Sequence, residues 1–353
     1  MTKAKRFVTH AGTASALCGI LCLCACTRIP SSIVAERTLR PLPAPRDIPK
    51  PSRTFALDLI NRRAPGHLEL TAFDTGVMHV RGEGVSSLKS WHAKLRLNVP
   101  AFLIRHPREG YILFDTGLST RTPSSEGFLE EIIDPAAVRW SASRGQDLPA
   151  QLSAAGIELS QIRWVILSCL RGEHVGTLPF FSSATIAASR VEYEAWSASD
   201  VKSRAPEPAE IPAERWRLIA LDEKPLFGPF LHSEDLFGDG TLYLADLPGR
   251  SPGSLGALVM LDEGPMLLSG GATLVIDNIL DLALPYRSQV ADRKLFWRSL
   301  HMLRALRQCV PQVQIIPGYE LSALRMRARQ DARENIFSSS PAIPRREKDL
   351  RAR

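Results

Sequence analysis

The chain reads Ile166-Leu167-Ser168-Cys169-Leu170-Arg171-Gly172-Glu173-His174-Val175-Gly176 at its most informative point. The run Trp164–Leu167 leading into this stretch is short, apolar and rich in strand formers, so it predicts a strand that ends in a polar turn. The turn presents a thiol, a guanidinium, a carboxylate and an imidazole close together. Cys169, Glu173 and His174 are residue types that ligate metals. Arg171 is not, because a guanidinium stays protonated and has no lone pair to offer. A thiol chemistry is also open, with Cys169 as nucleophile, its thiolate favoured by Arg171, and His174 as base. The plain structural reading makes Cys169 a small apolar residue on a buried strand end and His174 a hydrogen-bonded scaffold histidine.

Working outward, strands are expected at Ala101–Ile104, Tyr111–Phe114, Trp164–Leu167, Ala184–Ala188, Thr241–Ala245, Ala257–Leu261, Pro265–Leu268 and Gln312–Ile316. Helices are expected at Asp147–Ala155, stopped by Gly156, at Arg190–Ser197 and at Asp292–Gln308. The last carries Leu295, Phe296, Leu300, Leu303 and Leu306 on one side. Alternating strands and helices predict an α/β domain of two sheets with helices outside. No internal repeat, Walker-type phosphate loop, dinucleotide-binding glycine fingerprint or G-x-S-x-G elbow occurs.

The 353 residues are 44% hydrophobic and 23% charged, an ordinary globular balance with enough chain for a sizeable core. The amino terminus departs from it. Lys3, Lys5 and Arg6 precede an apolar, small-residue run from Ala11 to Ala25, which reads as a signal peptide. The run ends Leu23-Cys24-Ala25-Cys26, similar to a bacterial lipobox, which implies cleavage before Cys26 and its acylation. Four of the six cysteines lie in this region, leaving Cys169 and Cys309, both expected to be buried and unbridged. Residues 26–53 carry Pro30, Pro41, Pro43, Pro45, Pro49 and Pro51 and are expected to form an extended tether. Residues 54–335 are expected to be a single domain and residues 336–353 a basic, solvated tail. The net charge of +7 includes the three basic residues of the signal region, and the excess of the remainder sits in the tail from Leu321. An exported protein has little access to nucleic acid, so the expected partner is the membrane, through lipidated Cys26. The expected location is the bacterial cell envelope, on the outer membrane facing the periplasm in a Gram-negative host.

Five motifs in order resemble the metallo-β-lactamase superfamily over residues 100–320. Phe114-Asp115-Thr116-Gly117-Leu118 resembles its D-T-G turn, and Val165–Gly176 its H-x-H-x-D-H strand end. Leu247-Pro248-Gly249-Arg250-Ser251-Pro252-Gly253-Ser254 is similar to P-G-H-T-x-G-S. Leu267-Leu268-Ser269-Gly270-Gly271-Ala272 resembles L-L-x-G-D-A, and Ile316-Pro317-Gly318-Tyr319-Glu320 resembles I-P-G-H-D. The branch most resembled includes the N-acyl homoserine lactonases, which open lactone rings with a pair of zinc ions. The resemblance implies a four-layer αββα sandwich in one domain.

It also implies seven metal-ligand positions, and these fall on Cys169, Arg171, Glu173, His174, Arg250, Gly271 and Tyr319. Only His174 keeps the family residue. The ring-opening tyrosine position of the lactonases falls on Leu274, and Asp115 at the strand-end turn is expected to be structural. A guanidinium about 4 Å from a dication, at an effective dielectric near 20, is repelled by roughly 8 kcal/mol. That offsets most of a structural zinc affinity of about 10–16 kcal/mol. No cofactor is therefore expected, beyond a single weak ion on Cys169, Glu173 and His174. The leading expectation is a non-catalytic protein in which Arg171 and Arg250 stand in for the metals, paired with Glu173, and bind an anionic or carbonyl ligand. The competing expectation is a lactone or ester hydrolase with a reduced metal site or a Cys169-based mechanism.

Overall fold

The computed structural model describes residues 41–62, 68–120, 138–198, 211–322 and 324. They belong to one compact unit. The expected signal peptide 1–25, the lipidation site Cys26 and the tail 336–353 lie outside the described residues.

The described chain contains helices α1 (Arg53–Asn61), α2 (Gly82–Val85), α3 (Leu148–Ala154), α4 (Gly172–Val175), α5 (Arg190–Ser197), α6 (Ile276–Leu280) and α7 (Arg293–Cys309). Its strands are β1 (Glu69–Arg81), β2 (Lys94–His106), β3 (Gly110–Phe114), β4 (Arg139–Ser141), β5 (Ile162–Ile166) and β6 (Thr185–Ser189). They continue with β7 (Trp216–Ile219), β8 (Ser233–Asp235), β9 (Leu242–Asp246), β10 (Leu255–Leu261), β11 (Gly264–Leu268) and β12 (Gln314–Ile316). Seven strands form one sheet in the order β4-β1-β2-β3-β5-β6-β7, and five form the other in the order β12-β11-β10-β9-β8. Both sheets are mixed: β1 to β3 pair antiparallel while β3, β5, β6 and β7 run parallel, and β12 joins β11 in parallel.

The period-two side-chain alternation of each strand feeds two different cores. Ile104, Ile112, Phe114 and Ile166 of the larger sheet meet Leu242, Leu244, Ala257, Val259 and Leu268 of the smaller one between the sheets. The intervening residues point outward. Leu103, Leu113, Val165 and Ile186 pack against Leu148 and Leu152 of α3. Tyr243, Ala245, Leu258 and Leu267 pack against Leu59 of α1 and Met302, Leu303 and Leu306 of α7. The result is the expected α/β sandwich of two mixed sheets with helices outside. Burying a leucine of α7 stabilises by about 1.5–3 kcal/mol, and Asp292 caps the helix by accepting from the amides of Lys294 and Leu295.

Several details differ from expectation, among them strands β4, β7 and β8 and helices α1, α2 and α6, which were not foreseen. The strand β1 is thirteen residues long and was not foreseen. Its register shifts between Asp74 and Val77 without ending the strand. The proline-rich segment is not wholly a free tether, because its described end lies on α7. There Trp297 Nε1 donates to the Pro43 carbonyl at 3.1 Å and Arg298 pairs with Asp47 at 3.5 Å. Cys309 is half-buried rather than buried, with its Sγ 3.7 Å from the carbonyl oxygens of Pro51 and Ser52; Cys169 is buried and both thiols are free.

Candidate functional site

Strand β3 ends at Phe114 and parallel β5 ends at Ile166, so both deliver their following turns to the same edge of the sandwich. At the first turn Asp115 takes a left-handed backbone conformation, φ 60°, which costs free energy in a non-glycine residue. The carboxylate it aims across the gap repays that cost. Asp115 Oδ1 accepts from the Ser168 amide at 2.8 Å. Asp115 Oδ2 accepts from Ser168 Oγ at 2.7 Å and from His174 Nδ1 at 2.8 Å. Ser168 Oγ in turn accepts from the Gly271 amide at 2.8 Å, so the turn after β11 is tied to the same carboxylate.

The other side of the His174 ring meets a protein group. Its Nε2 lies 3.0 Å from Tyr319 Oη, and that hydroxyl donates to Glu173 Oε1 at 2.9 Å. A phenol has one proton. With it committed to Glu173, the contact at Nε2 is matched by an imidazolium, which donates from Nε2 as well as from Nδ1. Burial alone would lower the His174 pKa, but the acidic groups Cys169, Tyr319 and Asp115 around it hold it well above its ordinary value.

Glu173 Oε1 is the hub. Besides Tyr319, it accepts from Arg171 Nε at 2.8 Å and lies 3.5 Å from Arg250 Nη2. Burial would raise the Glu173 pKa; the Arg171 guanidinium, then His174 and Arg250, hold it well below the usual carboxylate range. Glu173 in return raises the pKa of Arg171 against the effect of burial. Burial raises the phenol pKa of Tyr319, opposed chiefly by Arg250. Arg250 has a fully buried side chain. Its Nη1 donates to the Gly271 carbonyl at 3.0 Å and its guanidinium lies 5.1 Å from the Tyr319 ring centre, a cation–π contact. Among the described residues, neither Nε nor Nη2 of Arg250 has a hydrogen-bond partner. Arg171 is the one member of the network that reaches solvent, with about a third of its side chain exposed.

The seven implied ligand positions are thus brought together at one edge of the sandwich, but their side chains do not fit the family's zinc pair. Tyr319 and Arg250 bond to the carboxylate and imidazole that a second ion would need. Gly271 stands where the bridging aspartate is implied, and a Cβ built there would lie 2.3 Å from Cys169 Sγ. Among the described residues, no group of three His, Cys, Asp or Glu side chains is placed to hold a metal ion. Leu274 is fully buried and packs with Met78, Val85, Leu118 and Tyr319 in an apolar cluster. Asn278 closes this side by donating to the Val85 carbonyl at 2.9 Å. Trp91 packs under the Arg81 guanidinium and beside Tyr286.

Glu192 is a site residue that sequence reasoning missed. It is buried, accepts from the Leu170 amide at 3.0 Å through Oε1, and accepts from the Gly253 amide at 2.8 Å through Oε2. It clamps the turn carrying Arg171 to the loop carrying Arg250. The available signal was an acidic residue in the first turn of α5, a position that ordinarily serves only the helix.

The arrangement of motif-bearing turns agrees with a sequence match: residues 95–318 fit the model of the metallo-beta-lactamase superfamily. The chain belongs to that superfamily. Among curated proteins it is similar to the N-acyl homoserine lactonase AttM of Azorhizobium caulinodans, 28% identical over 265 residues that cover 72% of this chain and 94% of that one. The AttM lactonase of Rhizobium radiobacter is 26% identical over 226 residues, covering 62% of this chain and 81% of that one. Among solved structures, a mutant of the B. thuringiensis AiiA protein with N-decanoyl-L-homoserine bound at its active site aligns with TM-score 0.59 and 20% identity. That alignment covers 73% of this chain and 95% of the other, and the likeness is one of fold.

Proposed function

We propose that this metallo-β-lactamase domain has exchanged the two-metal hydrolytic centre for a buried ion network, and that the protein works as a non-catalytic binding protein of the bacterial cell envelope. The observation that carries the reading is the placement of Arg250, fully buried among the ligand positions, bonded to the Gly271 carbonyl and facing Glu173. A guanidinium in that place repels a dication and cannot ligate it. The imidazolium of His174 adds a second fixed positive charge. Among these cations only Arg171 reaches solvent, so an anionic or carbonyl ligand would be met at the rim rather than inside. A lipid on Cys26 would hold the domain at the membrane surface, facing the periplasm in a Gram-negative host. Elemental analysis of the purified full-length protein tests the central claim: no stoichiometric zinc or manganese is expected, and one or two ions per chain would refute it. Cys26→Ser is expected to release the protein from membranes, and unchanged anchorage would reject the lipid.

A second reading, a hydrolase of lactones or other esters, is favoured by the relation to AttM, which runs over 94% of that protein. The comparisons lean towards this reading, while the residues at the ligand positions lean towards the first. Hydrolysis would need a single ion on Cys169, Glu173 and His174, or Cys169 as nucleophile. Cys169 is fully buried, and both Glu173 and His174 are engaged by Tyr319, so either route requires Tyr319 and Arg250 to move. Turnover of an N-acyl homoserine lactone that withstands a metal chelator and disappears in Cys169→Ser would establish the thiol route. Turnover that depends on added zinc would establish the metal route.

A further inference from the structure

A second recess lies outside the set of metal-ligand positions. A cavity of about 190 Å³ is walled by residues from the end of β6, the start of α5, the turn Leu221–Glu223, the end of β9 and α7. Val191, Leu221, Leu231, Leu295 and Met302 give it a largely apolar lining, and Asp222, His232, Asp246 and Arg298 supply the charged and titratable groups.

Three of those four are already engaged. Both oxygens of Asp222 accept from Arg190 at 3.2 Å. Arg298 is paired with Asp47 at 3.5 Å. His232 Nδ1 donates to the Lys224 carbonyl at 2.9 Å, which places the lone pair of the neutral ring on Nε2. Asp246 is the exception. Its amide donates to the His232 carbonyl at 3.1 Å, but among the described residues no hydrogen bond reaches its carboxyl group. Asp246 is half-buried, so its carboxylate borders both the recess and solvent, and its partial burial carries a desolvation cost. Burial pushes the Asp246 carboxyl up to about 6; His232 opposes the rise, Asp222 adds to it and Arg298 opposes it.

We propose that this cavity binds a small organic cation, a primary amine with a short apolar body, through the Asp246 carboxylate. The ammonium group supplies three donors, one for the carboxylate and one for His232 Nε2. The apolar walls take the carbon body. An anion is disfavoured, because Asp222 and Asp246 share the wall and Arg298, the one guanidinium among the described lining residues, is paired with Asp47. The size also limits the ligand, since pockets for drug-sized molecules run upward from about 300 Å³. Binding should weaken as pH falls through the Asp246 titration.

Calorimetric titration of the full-length protein with benzylamine, and with benzoate as the opposite-charge probe, decides the matter. Saturable benzylamine binding is expected near neutral pH, weaker by about tenfold one pH unit below the carboxyl titration. Asp246→Asn, which removes no hydrogen bond of the folded protein, should lower the affinity at least as much. Val191→Phe, which fills the cavity without touching the carboxyl group, should block binding on its own. The proposal fails if benzoate is preferred, if benzylamine does not saturate, or if both variants bind it as the parent does.

Discussion

Replacing Glu173 by glutamine tests whether the site is held by charge. The change keeps the size of the side chain and an acceptor oxygen, but removes the negative charge on which Arg171, Arg250 and Tyr319 converge. At the 3.5 Å separation of Arg250 Nη2 from Glu173 Oε1, an effective dielectric near 20 gives an attraction of about 5 kcal/mol. Arg250 is wholly buried, so its desolvation is not returned when the partner is neutralised. Breaking such a pair from one side costs about 3–5 kcal/mol. Arg250→Met should cost less, about 1–3 kcal/mol, because Glu173 keeps Arg171 and the Tyr319 hydroxyl. The double variant should then be more stable than Glu173→Gln alone. Urea unfolding followed by circular dichroism measures all four proteins, with the coupling read from the cycle. A Glu173→Gln protein as stable as the parent, or single costs that simply add in the double variant, would refute the reasoning.

Other outcomes follow from the same geometry. His174 has a raised folded-state pKa, so its contribution is fully present below its unfolded value and is lost as pH rises through the folded one; His174→Gln should flatten the alkaline limb of the stability profile. Glu173, with a depressed pKa, contributes above its unfolded value and loses that contribution as pH falls, so Glu173→Gln should flatten the acid limb. Gly271→Asp, which restores the family's carboxylate, forces its Cβ against Cys169 Sγ; it should destabilise by about 1–3 kcal/mol and recruit no zinc in elemental analysis. Asp246 has its carboxyl pushed up to about 6, so the native state is penalised as pH rises between the unfolded and folded values; Asp246→Asn should therefore raise the midpoint of urea unfolding at pH 7 and leave it unchanged near pH 3.

Local signals carried much of the architecture. Apolar runs such as Tyr111–Phe114 and Ala257–Leu261 became strands β3 and β10 because a strand buried on both faces needs no partner information to be read. The leucine face of α7 and the cap at Asp292 were equally local. The strand β1 was hidden because Asp74-Thr75-Gly76 has turn chemistry, and only its pairing with β2 makes it a strand. The ordered motifs pointed to the turns that meet at the site, since each sits at a strand end, but they gave no sign of Glu192, which joins two of those turns only through packing.

By itself, then, the amino-acid order determined the family, the two-sheet sandwich, and which residues stand at the implied ligand positions. Only the folded arrangement decided how those residues meet. It set Tyr319 between His174 and Glu173, brought Arg250 against the Gly271 carbonyl, and recruited Glu192 to clamp two turns. Proton positions and charge pairing depend on distances of about 3 Å between residues far apart in the chain, and no local pattern encodes such distances.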